Sequence, residues 1–239
     1  MKILVINGSP RGKAGLTGHV LDHFIKGMMS VGANVEVVQL AGKNIHHCTG
    51  ELACWFKTPA RCIHHDDMEA IAESIKTAES FVIATPVYLD GMTGLLKNFL
   101  DRLICMIDPH FEIRDGRMCH PLRDIKVKHM ALISTCSFWE SNNFDPLLAH
   151  VKAICRHFDI EYAGAVLRPA APIIPIAKFI DKSRLSAVFV AIERAGAEFA
   201  TYGRISDKTQ IEASAEIVSR ETYIEHINKY FDDKLAKLS

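Results

Sequence analysis

A long apolar opening is the first thing this sequence lacks. "MKILVINGSPRG" offers four consecutive apolar residues before a glycine-rich loop, far short of a secretory core or a spanning helix. The expectation is a cytoplasmic protein that does not enter a membrane. A net field is also missing: Lys plus Arg and Asp plus Glu each number 28, so nothing draws the chain to nucleic acid or to an anionic surface. A small molecule is the expected partner. Seven cysteines, an odd number, do not make a disulfide framework in a chain without a secretory segment; reduced thiols or a metal site fit better. There is no internal repeat and no low-complexity tract.

What is present is enough apolar material, 49% of 239 residues, for one sizeable core. Residues 3–6 ("ILVI"), 34–40 ("NVEVVQL"), 80–85 ("SFVIAT") and 128–135 ("KHMALIST") read as strands, and 160–167 ("IEYAGAVL") as a weaker fifth. Helical patterns lie between them at 17–31, 67–78, 93–105 and 143–158. This β-α alternation predicts a parallel sheet with right-handed crossovers and helices on both faces.

Beyond the fifth strand, Pro169, Pro172 and Pro175 in "RPAAPIIPIAKF" predict a connector without regular helix or central strand. The helix that follows is apolar around much of its circumference, with Val188, Phe189, Ile192, Phe199 and Tyr202 needing cover. The last, near 221–237, aligns Tyr223, Ile227, Phe231 and Leu235. The chain thus divides into a sheet domain at 1–170 and a helical extension at 171–239, packed on the same domain or on another subunit. The apolar excess of the extension points to a homo-oligomer, dimer or tetramer.

Two polar clusters have structural explanations. Asp66 with Glu69 has capping-box spacing before the helix at 67–78. His19 and His23, four apart on the first helix, have no acidic third ligand and read as surface residues.

The chemistry concentrates in three strand-to-helix turns. "NGSPRGKAGLTG" follows the first strand, where a parallel sheet presents free backbone N–H groups at a helix N-terminus, an anion site by geometry. Gly8, Gly12, Gly15 and Gly18 miss the dinucleotide spacing, and "GSPRGKA" is one residue short of a Walker A loop and lacks its hydroxyl. Residues 7–18 contain no cysteine nucleophile for a phosphatase and no carboxylate for magnesium. A cofactor's phosphate monoester remains, with Ser9, Arg11 and Thr17 as donors and Lys13 nearby; a plain glycine turn is the bland alternative. The third strand ends in "ATPVYLDGM", which sets Tyr88 and Gly91 on an exposed turn suited to a flat heterocycle. "STCSFWE" places Thr135, Cys136 and Ser137 on the same edge.

"GSPR", "GLTG", "TPVY....GLLKNFLDR", the cysteine segment and "DDM" together resemble the flavodoxin-like NAD(P)H-dependent FMN reductases and, within them, the iron-sulfur flavoproteins. The resemblance covers about residues 1–170. It implies a flavodoxin-like three-layer α/β sandwich with a five-stranded parallel sheet in the order 2-1-3-4-5. It also implies FMN, its phosphate in the first loop and its ring along the second, so that Ser9, Arg11, Thr17, Pro86, Val87 and Tyr88 take those roles. Leu16 stands where many relatives carry Asn, which leaves its backbone N–H as the donor. The implied activity is electron transfer from NAD(P)H to a quinone, nitro compound, flavin or protein. No catalytic side chain is nominated, because the flavin supplies the redox chemistry. A flavodoxin-type electron carrier or redox sensor is the rival, and a cofactor-free binding domain stays open.

Alignment to the relatives' four-cysteine pattern puts Cys48, Cys54 and Cys62 of "CTGELACWFKTPARC" on three ligand positions, with Glu51 at the second. A carboxylate is a harder ligand than a thiolate, so the expectation is no stable iron-sulfur cluster and no assigned metal. Zinc held by the three cysteines and one of His46, His47, His64 or His65 is the alternative. Trp55 and Phe56 are expected to anchor the segment by burial.

Overall fold

A computed structural model describes residues 1–237. Strands β1 (Lys2–Asn7), β2 (Asn34–Gln39), β3 (Ser80–Pro86), β6 (His129–Thr135) and β7 (Glu161–Arg168) form one parallel sheet in the order β2-β1-β3-β6-β7. In sequence order these are the first to fifth strands of the expected 2-1-3-4-5 sheet. Helix α1 (Leu16–Ser30) follows β1, a one-turn helix α2 (Ala53–Phe56) and α3 (Met68–Thr77) follow β2, α4 (Gly94–Asp101) follows β3, and α5 (Asp145–His157) follows β6. The architecture is flavodoxin-like.

The period-2 side-chain rule divides each strand between two cores. Ile3 and Val5, Val82 and Ala84, and Ala131 and Ile133 face the α1 side. Leu4 and Ile6, Phe81 and Ile83, and Met130 and Leu132 face α3, α4 and α5. On β7 the register shifts, with Met130 opposite Tyr162 but Leu132 opposite Ala165. The extra residue is accommodated at Gly164, whose φ of +109° suits glycine alone.

Three local expectations need correction. Pro172 and Pro175 do not exclude helix: each occupies the first turn of a helical segment, Ala171–Ile173 and α6 (Ile174–Ile180), where the missing N–H removes no bond. The helix expected over 93–105 is α4 only to Asp101 and tightens to a 3₁₀ turn over Arg102–Met106. A hairpin of β4 (Glu112–Arg114) and β5 (Arg117–Cys119) was not anticipated. Its Asp115-Gly116 turn, with φ values of 50° and 72°, was a readable hairpin signal.

In the extension, α7 (Lys182–Tyr202) crosses α1 at very short range. A Cβ on Gly27 would sit 1.8 Å from Glu193 O, and one on Gly196 would sit 2.0 Å from Phe24 O. Val188, Ile192 and Phe199 are buried in this crossing, whereas Tyr202 is exposed. Helices α8 (Asp207–Ala213) and α9 (Arg220–Leu235) complete the chain. Of the α9 stripe, Tyr223 is buried, Ile227 packs partly, and Phe231 and Leu235 are exposed. No described helix is long and apolar enough to cross a membrane.

Candidate active site

The three turns identified in the sequence meet at the carboxyl edge of the sheet, and hydrogen bonds lock them together. Gly8 N donates to Ala84 O at 2.8 Å, joining the first turn to β3. Thr93, the N-cap of α4, donates its hydroxyl to Gly8 O at 2.6 Å and accepts from Leu96 N. Val87 N donates to Thr135 O at 2.8 Å, and Cys136 N donates to Arg168 O at 2.9 Å. Thr17 and Thr135 share a hydrogen bond of 2.7 Å between their hydroxyls.

The first turn is built without side chains at its tightest points. A Cβ on Gly18 would lie 2.5 Å from Gly12 O and 2.7 Å from Lys13 O, and one on Gly15 would lie 2.9 Å from Ser9 Oγ. Gly15 is the N-cap of α1 and supplies no capping side chain, so the first-turn N–H groups of Leu16, Thr17 and Gly18 stay available to an anion. Among the described residues the Ser9 hydroxyl has no hydrogen bond, and the exposed Arg11 and Lys13 have no carboxylate partner. Ser9 itself is buried, its N–H bonded to Asn7 Oδ1 at 3.0 Å. This set of unpartnered donors around a helix N-terminus fits a phosphate group.

Pro86, the last residue of β3, and Val87 are half-buried, while Tyr88 is exposed. Tyr88 and Gly91 exchange backbone hydrogen bonds of 2.9 and 3.1 Å around a two-residue turn. Its central residues, Leu89 and Asp90, have φ of 45° and 61°, a left-handed conformation that costs an L-residue about 1–2 kcal/mol. Leu89 is fully exposed at the tip.

In the third turn Cys136 is buried, which pushes its thiol pKa up, and its Sγ accepts from Phe138 N at 3.4 Å. Exposed Ser137 presents its carbonyl to the hydroxyl of Tyr223 on α9, and burial pushes that phenol up to about 12. The C-terminal extension therefore touches the candidate site directly. Arg168, buried at the end of β7, donates to Ala213 O at 3.0 Å and Ala215 O at 2.8 Å. Burial lowers its pKa to about 10.

Sequence reasoning missed Asn7, Thr93 and Arg168 as organisers of this edge. Thr93 carried a signal, a hydroxyl immediately before an apolar helical run; Asn7 and Arg168 carried none.

The family model for NADPH-dependent FMN reductases matches residues 1–138. The chain belongs to this family. An iron-sulfur flavoprotein of Archaeoglobus fulgidus is 35% identical over 104 residues, 44% of this chain and 46% of that protein. One from Methanocaldococcus jannaschii is 32% identical over 118 residues, 49% of this chain and 58% of that protein. The chain thus spans about half the length of the curated relatives it matches. An FMN-dependent NADH-azoreductase from Bacillus anthracis, solved with FMN, superposes with a TM-score of 0.62 at 18% identity, covering 84% of this chain and 99% of that one. An NAD(P)H:quinone oxidoreductase from Methanothermobacter marburgensis gives 0.62 at 14% identity, covering 84% and 97%. These two likenesses establish the shared fold.

The cysteine segment forms a separate site, on the α4 side of the sheet. Cys48, Cys54 and Cys62 line one small cavity with Glu51, His64 and Arg102. Asp66, whose side chain is fully buried, meets Arg102 through two contacts of 2.7 and 3.2 Å and accepts from His46 N at 2.9 Å. It also accepts from Met68 N at 3.0 Å, but the N-cap of α3 is Asp67, whose side chain makes no capping bond, and not Asp66 as expected. Burial opposes the charge on Asp66, yet these hydrogen bonds, led by the one from Arg102, hold its carboxyl well below the usual carboxylate range. The capping box is incomplete, because Glu69 pairs with His65 Nδ1 at 2.7 Å instead of returning to the cap. Trp55 anchors the segment by donating to Ile104 O at 3.0 Å. Phe56 does not: at the end of a one-turn helix it points outward and is exposed. His19 is exposed, as expected, but His23 is half-buried, stacked on Phe189 at 4.1 Å and bonded to Glu193 at 2.8 Å.

Proposed function

We propose that this chain is an FMN-dependent oxidoreductase that takes electrons from NADPH or NADH and delivers them to a second acceptor. The observation that carries the reading is the first turn, where the uncapped N-terminus of α1 lies beside the unpartnered Ser9 hydroxyl, Arg11 and Lys13. FMN, when bound, supplies the redox chemistry. Ser9, Arg11, Lys13 and the N–H groups of Leu16 and Thr17 bind its phosphate; Pro86, Val87, Tyr88 and Gly91 support its ring; Thr135, Cys136 and Ser137 close the edge. Family membership supports both the cofactor and the donor.

The sheet domain at 1–170 carries the flavin site, and the extension at 171–239 braces it through Tyr223 and Ser137. The protein works in the cytoplasm as a homo-oligomer. The exposed Phe111 just before the hairpin, Ile113 and Met118 on it, and Phe231 and Leu235 on α9, support the oligomer. Light scattering at micromolar protein tests it, and a mass of 26.6 kDa, that of one chain, counts against it.

The sharper test is Arg11→Ala. A guanidinium bonded to phosphate contributes about 1.5–3 kcal/mol, so FMN affinity should fall about tenfold or more while riboflavin affinity is unchanged. Equal weakening of both ligands would show that the phosphate lies elsewhere.

A further inference from the structure

The cysteine segment is the one dense chemical motif that this function does not use. Relatives named iron-sulfur flavoproteins make a four-iron cluster the group to test against it, and such a cluster takes one thiolate per iron. The segment supplies Cys48, Cys54 and Cys62. At the second position the Glu51 carboxylate accepts from Thr49 Oγ1 at 2.6 Å on the surface, and that bond lowers its pKa.

The fold brings a fourth thiol that sequence reading did not consider. Cys105, from the 3₁₀ turn after α4, lines the same cavity. It does not complete the set. Its Sγ donates to Arg102 O at 3.3 Å, and it is buried with Leu103, Met106 and Cys54 in the apolar core on this face. Among the described residues no three histidine, cysteine or carboxylate side chains stand close enough to share one metal ion. The cavity measures about 10 Å³, room for one water. Two nitrogens on its lining residues, His64 Nε2 and Arg102 Nε, are buried without a partner. Both residues line the cavity, whose size suits one water.

We propose that the cysteine pocket of this chain is cluster-free, holding a water between His64 and Arg102, and that electrons therefore leave from the flavin crevice itself. The second half rests on the FMN reading above. Without a cluster relay, the acceptor must reach the flavin directly; for an organic two-electron acceptor the reaction balances. NAD(P)H gives up a hydride, one proton comes from solvent, and the acceptor gains two electrons and two protons while NAD(P)⁺ is released.

The test uses the full chain, purified anaerobically and incubated with ferrous iron, sulfide and a thiol reductant, then desalted and assayed for iron, sulfide, zinc and flavin. The parent is expected to retain no stoichiometric metal, and Glu51→Cys is expected to gain iron and sulfide in equal amounts. Stoichiometric iron with sulfide in the parent overturns the proposal, and its loss in Cys105→Ser would then identify Cys105 as the fourth ligand. One zinc per chain overturns it as well. A Glu51→Cys protein that stays empty overturns the missing thiolate as the reason. Anaerobic dithionite titration of the FMN-loaded parent should consume two electrons per flavin, and a further equivalent per chain contradicts the absence of a relay. A parent that binds neither metal nor FMN would refute the flavin reading while leaving the pocket assignment intact.

Discussion

Residues 8–18 and residues 44–67 are the two stretches richest in polar chemistry, and they treat it in opposite ways. In the first, the Ser9 hydroxyl, Arg11, Lys13 and the N-terminus of α1 are left without side-chain partners among the described residues. In the second, polar groups are turned inward. Asp66 accepts from Arg102, His46 and Met68; Asn98 Nδ2 donates to Ile45 O at 2.7 Å; and Trp55 donates to Ile104 O. The first stretch keeps hydrogen-bonding capacity open for a ligand, while the second uses it to fix a loop. Residue types that could bind a metal are therefore a weaker sign of a site than donors the fold leaves unanswered.

The strongest way to break this contrast is Arg102→Ala. It strands the buried Asp66 carboxylate, which should cost about 3–5 kcal/mol in urea unfolding, while FMN affinity of the folded protein stays the same. A loss below about 1 kcal/mol, the scale of an exposed pair, would mean the segment is organised by something else. The pair also fixes a pH dependence. Because the folded-state pKa of Asp66 is depressed, its contribution is present above the unfolded value of about 3.9 and is lost as pH falls below it. Asp66→Asn should flatten that acid limb of the stability profile.

Gly18→Ala probes the other stretch. The added Cβ meets Gly12 O at 2.5 Å and Lys13 O at 2.7 Å, backbone that yields only by shifting the turn. The expected cost is about 1–3 kcal/mol of stability together with loss of FMN binding, measured by fluorescence titration. Retained FMN affinity would remove the first turn from the site.

The smallest effects concern strain, which both regions carry. Leu89 has φ of 45° in the second turn and Ala60 has φ of 65° in the cysteine segment. Glycine removes about 1–2 kcal/mol of left-handed strain and costs about 0.5–1 kcal/mol in entropy. Either substitution should therefore raise stability by up to about 1.5 kcal/mol. Only Leu89→Gly should also change flavin affinity or turnover, and an equal effect from Ala60→Gly would show that the two regions are coupled.

The sheet was readable because its central strands are buried on both faces and so appear as uninterrupted apolar runs; Ile3 to Ile6 have no exposed side chain. The first turn was readable because glycine spacing and hydroxyls are local. Proline in the first turn of a helix looks the same in sequence as proline that breaks one, which is why the helical turns from Ala171 on do not show in the connector at 168–179. Arg102 reaches Asp66 from 36 positions away and Cys105 lines the same pocket from further along the chain, and no local pattern announces such contacts. Phe56 was misjudged because a one-turn helix has no periodicity to show which side faces inward.

The account stands on the crevice at the carboxyl edge of the sheet holding a flavin that NAD(P)H can reduce. An anaerobic absorption spectrum of the protein with FMN, taken before and after adding NADPH or NADH, measures that directly. The predicted result is FMN that stays with the protein through desalting and is bleached by the nicotinamide. FMN that separates on desalting, or that remains oxidised with either donor, would contradict it.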